Sequence, residues 1–219
     1  MKKMNYLFGF PVGIYKIDPN NYDKEKIVSD IIYNYKTDPT RNEGVRNEWD
    51  NSGSKIHSDL DGKANDNFKK INYSSLIPLY NEKIKEYLSN FKVIEDYNYK
   101  FKIINYTCSS SGQYMQRHIH TKCAFNAVHY IKFNKKEHMG TTFHNRNSYV
   151  DFLPNLREKF YEIKSANDIT NSWAMENWTF NVEEDEICFS PAVLQHSVSQ
   201  PKGDDLRITI AMNIDILEE

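Results

Sequence analysis

The sequence predicts a mainly β protein, an antiparallel sandwich of jelly-roll type with two N-terminal helices packed against it. Two observations carry this prediction. Before residue 97, two segments repeat apolar residues at helical spacing. After residue 97, short strand-like segments bounded by turns follow one another. These predicted strands cover residues 97–103, 113–120, 124–133, 178–182, 186–190 and 206–214.

The N-terminal part contributes one strand and both helices to this prediction. Apolar residues alternate over residues 6–14, which predicts a strand or a hairpin arm. A turn at Asp18-Pro19-Asn20 precedes a helix predicted over 22–36. A second helix is predicted over 77–92, where Pro78 suits the first turn.

Two segments do not fit a regular element. Residues 40–66 are polar and rich in turn residues, which indicates a long loop or a pair of short strands. Residues 150–172 indicate an inserted helix or an ordered loop. We expect loops within 40–66 and 134–172 to gate a pocket. The tryptophans Trp49, Trp173 and Trp178 either line that pocket or pack in the core.

Length and composition predict a single domain over residues 1–219, with 1–96 as a support region and 97–219 as the jelly-roll core. Hydrophobic residues make up 39% of the chain, enough for a sizeable core. The net charge of −2, and the absence of a basic aromatic groove, argue against nucleic acid as a partner.

The sequence also bears on the compartment. No apolar stretch approaches the length of a membrane span, and no secretory signal is expected. The three cysteines Cys108, Cys123 and Cys188 are far apart, which predicts reduced thiols in a cytoplasmic protein. The oligomeric state stays open, a homodimer included.

The residues that point to chemistry are three histidines. His118 and His120 stand one residue apart, so in a strand they project to the same face. A strand from later in the chain can bring His196 to the same point. Three neutral imidazoles suit Fe(II), Zn(II), Ni(II) or Cu(II), and not Mg(II) or Ca(II). Arg207, eleven positions after His196, can bind a carboxylate beside such a metal.

The order of these elements resembles that of the double-stranded β-helix (cupin-like) oxygenases that use Fe(II) and 2-oxoglutarate. That family has a His-x-Asp/Glu pair, a distal His and, about ten residues later, an Arg or Lys. The matching segments are Gly112–His120, Ser190–Val198 and Arg207–Ile210.

Within this superfamily, the chain more closely resembles the uncharacterised 2-oxoglutarate/Fe(II) oxygenases of bacteria and marine phages. These open with a Leu-Phe-x-x-Pro-Val stretch, as Leu7–Val12 does here, and carry a strand like Ala127–Ile131 after the His-x-His segment. The resemblance extends over nearly the whole chain, but the three short segments around the histidines and the arginine are its specific part.

The chain departs from the family pattern in three places. His120 stands where most members have Asp or Glu, so three histidines replace the usual set of two histidines and one carboxylate, and a carboxylate from elsewhere, such as Asp151, could complete the site. Ser190-Pro191 reverses the usual Pro-Ser order. Asp185 replaces the Gly expected before the penultimate strand.

The resemblance implies a dioxygenase that uses Fe(II), 2-oxoglutarate and O₂, and that couples oxidation of a substrate C–H bond to decarboxylation of 2-oxoglutarate to succinate. The implied metal ligands are His118, His120 and His196. Arg207 would bind the distal carboxylate of 2-oxoglutarate, and the hydroxyl of Thr209 would donate to it. Candidates for a further phenol donor are Tyr106, Tyr114 and Tyr130.

Two other functions remain open from the sequence alone. One is a cupin-type metalloenzyme without 2-oxoglutarate; Gly112 and the His-x-His pair match the start of a cupin motif, but its Glu is missing. The other is a non-catalytic jelly roll that binds sugar or protein. The literal His-x-Asp at His57-Ser58-Asp59 is the weaker metal candidate because no apolar strand follows it. The substrate, a protein side chain or a small molecule, is not identified by the sequence.

Overall fold

The computed structural model describes residues 3–41, 56–59, 67–91, 98–146, 172 and 175–217. In these ranges the chain forms two α-helices and eleven strands. The helices are α1 (Lys24–Thr37) and α2 (Ile77–Leu88), with a short 3-10 turn at Pro19–Asn21 before α1. The strands are β1 (Lys3–Leu7), β2 (Phe10–Lys16), β3 (His57–Ser58), β4 (Asn98–Ser109), β5 (Met115–His118), β6 (Phe125–Lys132), β7 (Thr142–His144), β8 (Asn177–Thr179), β9 (Glu186–Pro191), β10 (His196–Val198) and β11 (Arg207–Leu217).

The strands form two antiparallel sheets. The larger sheet has the order β1-β2-β9-β6-β11-β4-β3, and the smaller has the order β5-β10-β7-β8. The mainly β architecture with two N-terminal helices is therefore confirmed. None of the described helices is long and apolar enough to cross a bilayer.

The larger sheet is buried on both faces, and the side chains of β11 point alternately to one face and the other. Ile208, Ile210, Met212 and Ile214 pack on the face that carries α1 and α2. The other face meets the smaller sheet, where Tyr130 and Cys188 pack against Phe143. On this inner face β11 instead presents Arg207, Thr209, Ala211 and Asn213. A central strand with polar residues at alternate positions in a buried layer marks the place where a ligand can enter.

Several predicted elements have different bounds in the structure. The strand predicted over 6–14 is a hairpin, because Phe8 and Gly9 adopt positive φ angles of 53° and 87° and turn the chain between β1 and β2. The second helix ends at Leu88 instead of residue 92. The three-residue strands β7 and β10 were not predicted as separate strands. Most of the segment 150–172, with Asp151, lies outside the described residues, as do Trp49 and Trp173; Trp178 packs against the core between the sheets.

Asp185, the residue in place of a family glycine, has a left-handed backbone with φ of 62°. Asp tolerates this conformation better than most residues. Its carboxylate accepts a hydrogen bond of 2.6 Å from the Tyr22 hydroxyl and pairs with Lys24 Nζ at 2.7 Å. The side chain thus joins the turn before β9 to the segment that leads into α1, which a glycine could not do.

Asp185→Ala should lower the free energy of unfolding by about 2 kcal/mol, because it loses both contacts and keeps an unfavourable φ. Asp185→Gly relieves the backbone but not the lost contacts, so we expect a loss of about 1 kcal/mol. Denaturant unfolding of the three proteins measures this order. A glycine variant as stable as the wild type would mean that the contacts of Asp185 contribute nothing.

Candidate metal centre

A cavity of about 350 Å³ lies between the two sheets. Its floor is the inner face of β11 and β4, and its roof is formed by β5, β10 and the residues that follow β5. The cavity contains, on opposite walls, the three histidines and Arg207 that the sequence singles out.

The three histidines come together through the pairing of β5 with β10. His118 lies directly opposite His196 in the antiparallel register. His120, two residues beyond His118, is held by a hydrogen bond of 2.9 Å from its backbone N–H to the Ala192 carbonyl. One ligating nitrogen from each ring lies within 4.8 Å of the other two. This spacing lets one ion contact all three imidazoles at ordinary metal–nitrogen distances.

Backbone carbonyls orient two of these rings. Nδ1 of His118 lies 2.9 Å from the Gln116 carbonyl, and Nδ1 of His196 lies 2.9 Å from the Leu194 carbonyl. A carbonyl only accepts hydrogen bonds, so in both rings Nδ1 carries the proton and Nε2 keeps its lone pair. This is the arrangement that metal-binding histidines usually have.

The environment also keeps two of the histidines, His120 and His196, neutral. Burial, reinforced by His118, lowers the pKa of His120 to about 4. Burial, together with both neighbouring imidazoles, lowers the pKa of His196 well below its usual value. Neutral imidazole is the metal-binding form, so at neutral pH a metal need not displace a proton from these two rings.

Arg207 is the least satisfied polar group in the cavity. Its side chain is 1% exposed, and none of its three guanidinium nitrogens has a hydrogen-bond partner among the described residues. The guanidinium Cζ of Arg207 lies 5.3 Å from the centre of the Tyr130 ring. This contact favours the charged form of Arg207, although no hydrogen bond of normal geometry joins the two side chains. Burial lowers the pKa of Arg207, but an arginine stays charged at neutral pH. A buried unpaired cation costs several kcal/mol, which an anionic ligand would offset.

Two threonines stand beside Arg207 on the cavity floor. Thr209 lies opposite Thr107 in the β11–β4 register, and their hydroxyl oxygens are 2.6 Å apart. One hydroxyl donates to the other, so the pair retains one hydrogen for a further acceptor. The pair can therefore donate to the same anion that Arg207 binds. Sequence reasoning proposed Thr209 but missed Thr107, whose position depends on the register between two distant strands.

The three candidate tyrosines lie in three different places. Tyr130 packs beside Arg207, but its hydroxyl hydrogen is already donated to Thr141 Oγ1 at 2.9 Å. Burial raises its pKa to about 12, so it stays a neutral phenol. Tyr114 lines a surface groove with Arg117 and Ser197, outside the cavity.

The structure does not support Tyr106 as a cosubstrate contact. Tyr106 pairs with Ile210, so its side chain lies on the helix side of the larger sheet. There its hydroxyl lies 3.2 Å from Asn34 Nδ2 and 3.1 Å from His57 Nε2. Tyr106 is offset by one register position from the Thr107–Thr209 pair, and a shift of one residue changes the face of the sheet.

In the alternative motif His57-Ser58-Asp59, His57 pairs with Cys108 and so lies on the helix side of the larger sheet. His57 is fully buried, and its Nδ1 lies 2.7 Å from the Asp38 carbonyl. Both of its ring nitrogens have protein partners, so it is a structural histidine. Asp59 Oδ1 accepts a hydrogen bond of 2.7 Å from the Tyr106 backbone N–H.

Asp59 predicts a pH dependence of stability. Burial raises its pKa to about 6, above the unfolded value of about 3.9. The folded protein therefore binds this proton more tightly than the unfolded chain does. The resulting contribution to stability is complete below about pH 4 and is lost as the pH rises through 6. Between pH 4 and pH 7 the free energy of unfolding of the wild type should fall by about 2 kcal/mol more than that of Asp59→Asn. Equal changes in denaturant titrations at the two pH values would contradict this.

Fold and site together are those of a jelly-roll protein in which three histidines could hold one metal ion and a buried arginine could hold an anion. The model of the family described as "Putative 2OG-Fe(II) oxygenase" matches residues 105–213, about half of the chain, which includes every one of these groups. The chain belongs to this family of oxygenases that depend on 2-oxoglutarate and Fe(II). No curated protein matches it in sequence.

Solved structures share the fold at low sequence identity. AviO1 from Streptomyces viridochromogenes Tue57 is similar with a TM-score of 0.55 and 9% identity, over 96% of this chain and 90% of that one. A prolyl-4-hydroxylase from Pseudomonas putida is similar with a TM-score of 0.51 and 8% identity, over 93% and 92%. These similarities confirm the jelly-roll fold.

The protein is thus an enzyme, and its family implies Fe(II), 2-oxoglutarate and O₂ as metal, cosubstrate and oxidant. The described residues fit these groups. Three neutral imidazoles suit Fe(II), and the unpartnered Arg207 beside them suits the distal carboxylate of a dicarboxylic acid. The family match favours the oxygenase over the cupin and binding-module alternatives.

Proposed function

We propose that this enzyme is a hydroxylase in which His118, His120 and His196 hold the iron, and Arg207 holds the distal carboxylate of 2-oxoglutarate. The observation that carries the proposal is a buried, unpaired guanidinium that faces the same cavity as three convergent imidazoles. A cupin that does not bind a dicarboxylate would have no use for such a costly group.

The residues have separate roles under this proposal. Arg207 supplies parallel N–H donors that match a carboxylate better than a lysine could. The hydrogen left over from the Thr107–Thr209 pair donates to the same carboxylate. Tyr130 supports the guanidinium through its ring and is itself fixed by Thr141. When bound, iron with 2-oxoglutarate and O₂ supplies the oxidising power for hydroxylation of a C–H bond while succinate and CO₂ are released.

The third metal ligand is the point where this chain differs from most of the wider superfamily. We assign it to His120, because its ring nitrogen lies in the histidine cluster and its backbone is fixed by Ala192. Replacing a carboxylate by an imidazole removes one negative charge from the ligand set. A bound Fe(II) would then keep a higher net charge, which strengthens its attraction for the 2-oxo acid group.

The substrate class is a protein side chain or a small metabolite. The similarity to a prolyl-4-hydroxylase from Pseudomonas putida makes a prolyl side chain one candidate.

We place the enzyme in the cytoplasm, since none of the three cysteines forms a disulfide.

The test is oxygen-dependent conversion of 2-oxoglutarate to succinate by Fe(II)-loaded protein without added substrate. Slow uncoupled turnover is expected in the wild type. Anaerobic titration of the metal-loaded protein with 2-oxoglutarate provides an independent binding measurement. Absence of both turnover and binding would refute the proposal; metal binding alone would favour a cupin-type enzyme.

A further inference from the structure

The cavity has a second polar end, remote from Arg207. Alternate residues of β11 face the cavity, and Asn213 lies six residues from Arg207 on that face. At about 3.3 Å per residue, their Cα atoms are separated by roughly 20 Å. A five-carbon dicarboxylate that is anchored on Arg207 is much shorter than this. The end of the cavity near Asn213 therefore stays available to a second molecule.

The side-chain oxygen of Asn213 has no partner. Its Oδ1 is buried and makes no hydrogen bond to any described residue. Buried amide groups without partners are rare in native proteins. A ligand that both donates to and accepts from this amide would satisfy it.

Asn105 adds a second acceptor of fixed orientation. It lies opposite Ala211, and so diagonally across from Asn213 on the cavity floor. Ser58 Oγ donates to the Tyr106 carbonyl at 3.0 Å, so it can only accept the 2.7 Å hydrogen bond that joins it to Asn105. The nitrogen of the Asn105 amide is thereby identified, and its Oδ1 is the atom left without a described partner.

Charges on the cavity wall narrow the class of ligand. Among the described lining residues the charged side chains are Arg207 and, at the mouth, Lys122, and none is a carboxylate. A cationic group would find no counter-ion there. Lys122 is exposed to solvent, so an anionic group deeper in the cavity would face the amide oxygens of Asn105 and Asn213 without a buried cation beside it. A neutral group that carries both a donor and an acceptor fits best.

We propose that the substrate carries an amide, as a peptide group or a carboxamide, and that Asn213 and Asn105 hold it. A carboxamide donates its two N–H groups to the two Oδ1 atoms and accepts from Asn213 Nδ2 through its carbonyl. A trans peptide group donates its single N–H to one of the Oδ1 atoms. Asn213 and Asn105 are positioning and specificity residues for the oxidation. The inference rests on the proposed function in one respect, the placement of 2-oxoglutarate at the Arg207 end.

Ligand-observed ¹⁹F NMR tests the inference with trifluoroacetamide and trifluoroacetate, which have nearly the same shape. The full chain is loaded with Zn(II) and saturated with 2-oxoglutarate, so that Arg207 cannot capture the anion. We expect the amide to bind and the carboxylate not to bind. Asn213→Leu should weaken the amide about fivefold. Asn213→Asp keeps a hydrogen-bond acceptor, so it should weaken binding of the amide less. Its negative charge should also allow the cation trifluoroethylammonium to bind.

The control is Asn98→Leu, which changes an exposed asparagine at the start of β4 and should leave both probes unaffected. Calorimetric titration of 2-oxoglutarate into each variant keeps the two proposals apart. If 2-oxoglutarate fails to bind, the proposed function fails. If 2-oxoglutarate does bind, three results would refute the amide site alone. These are that the amide probe does not bind, that the carboxylate probe binds as tightly as the amide probe, or that Asn213→Leu has the same affinity for the amide probe as the wild type.

Discussion

His196→Ala should abolish turnover of 2-oxoglutarate and reduce the affinity for Fe(II) or its Co(II) substitute by more than about 100-fold. Loss of a supporting hydrogen bond alone typically costs 10- to 100-fold in metal affinity, so loss of a ligand should cost more. His196 is the central histidine, because it pairs with His118 and its ring lies parallel to that of His120, 5.2 Å away. Co(II) absorption titrations measure the affinity, and succinate formation measures the turnover.

The smaller sheet offers a matched control for this prediction. His144 is also largely buried and lies on the neighbouring strand β7, but its Nε2 contacts Ser197 Oγ at 2.8 Å on the opposite face of the sheet from His196. His144→Ala should leave metal affinity within a few-fold of the wild type. An equal loss in both variants would mean that the sheet itself, not the histidine cluster, determines binding.

Substitutions at His120 address the third ligand within the same experiment. His120→Ala should lose metal affinity as His196→Ala does. His120→Asp restores the usual His-x-Asp pair of the wider family and should retain Fe(II) and turnover. If His120→Ala binds metal as tightly as the wild type, the third ligand comes from another residue.

The metal centre could be predicted from sequence because its signal is local. Two histidines at positions i and i+2 share a face in any extended segment, whatever the rest of the fold does. The alternation of Arg207, Thr209, Ala211 and Asn213 with apolar residues is visible in the same way. It marks a strand with one apolar and one polar face, and the structure places the polar face in the cavity.

The partners of these residues could not be predicted, because they depend on which strand lies beside which and in what register. Thr107 and Asn105 become cavity residues only through pairing of β4 with β11, about a hundred positions away. Tyr106, adjacent to both, points to the helices for the same reason. Strands as short as β10 have too few residues to show a period, although β10 is the strand that carries His196.

The second large effect is expected at Arg207. Arg207→Leu should weaken 2-oxoglutarate binding by about 100-fold or more, since truncating one partner of a buried charge pair typically costs 2–5 kcal/mol. Metal affinity should stay unchanged, because Arg207 is not a member of the histidine cluster. Anaerobic titration of the Fe(II)-loaded protein with 2-oxoglutarate measures the first quantity, and the Co(II) titration measures the second. Arg117→Leu, an exposed arginine next to His118, is the control and should bind 2-oxoglutarate normally.

The same substitution separates a binding role of Arg207 from a structural one. A structural arginine stabilises the ligand-free fold through its hydrogen bonds, but Arg207 makes none to the described residues. Replacing an unpaired buried cation by an apolar side chain should therefore leave the free energy of unfolding unchanged within about 1 kcal/mol, or raise it. Addition of 2-oxoglutarate should then stabilise the metal-loaded wild type against thermal unfolding and leave Arg207→Leu unaffected. A variant that loses several kcal/mol of stability without ligand would show instead that Arg207 supports the fold, and the assignment of the carboxylate site would fall.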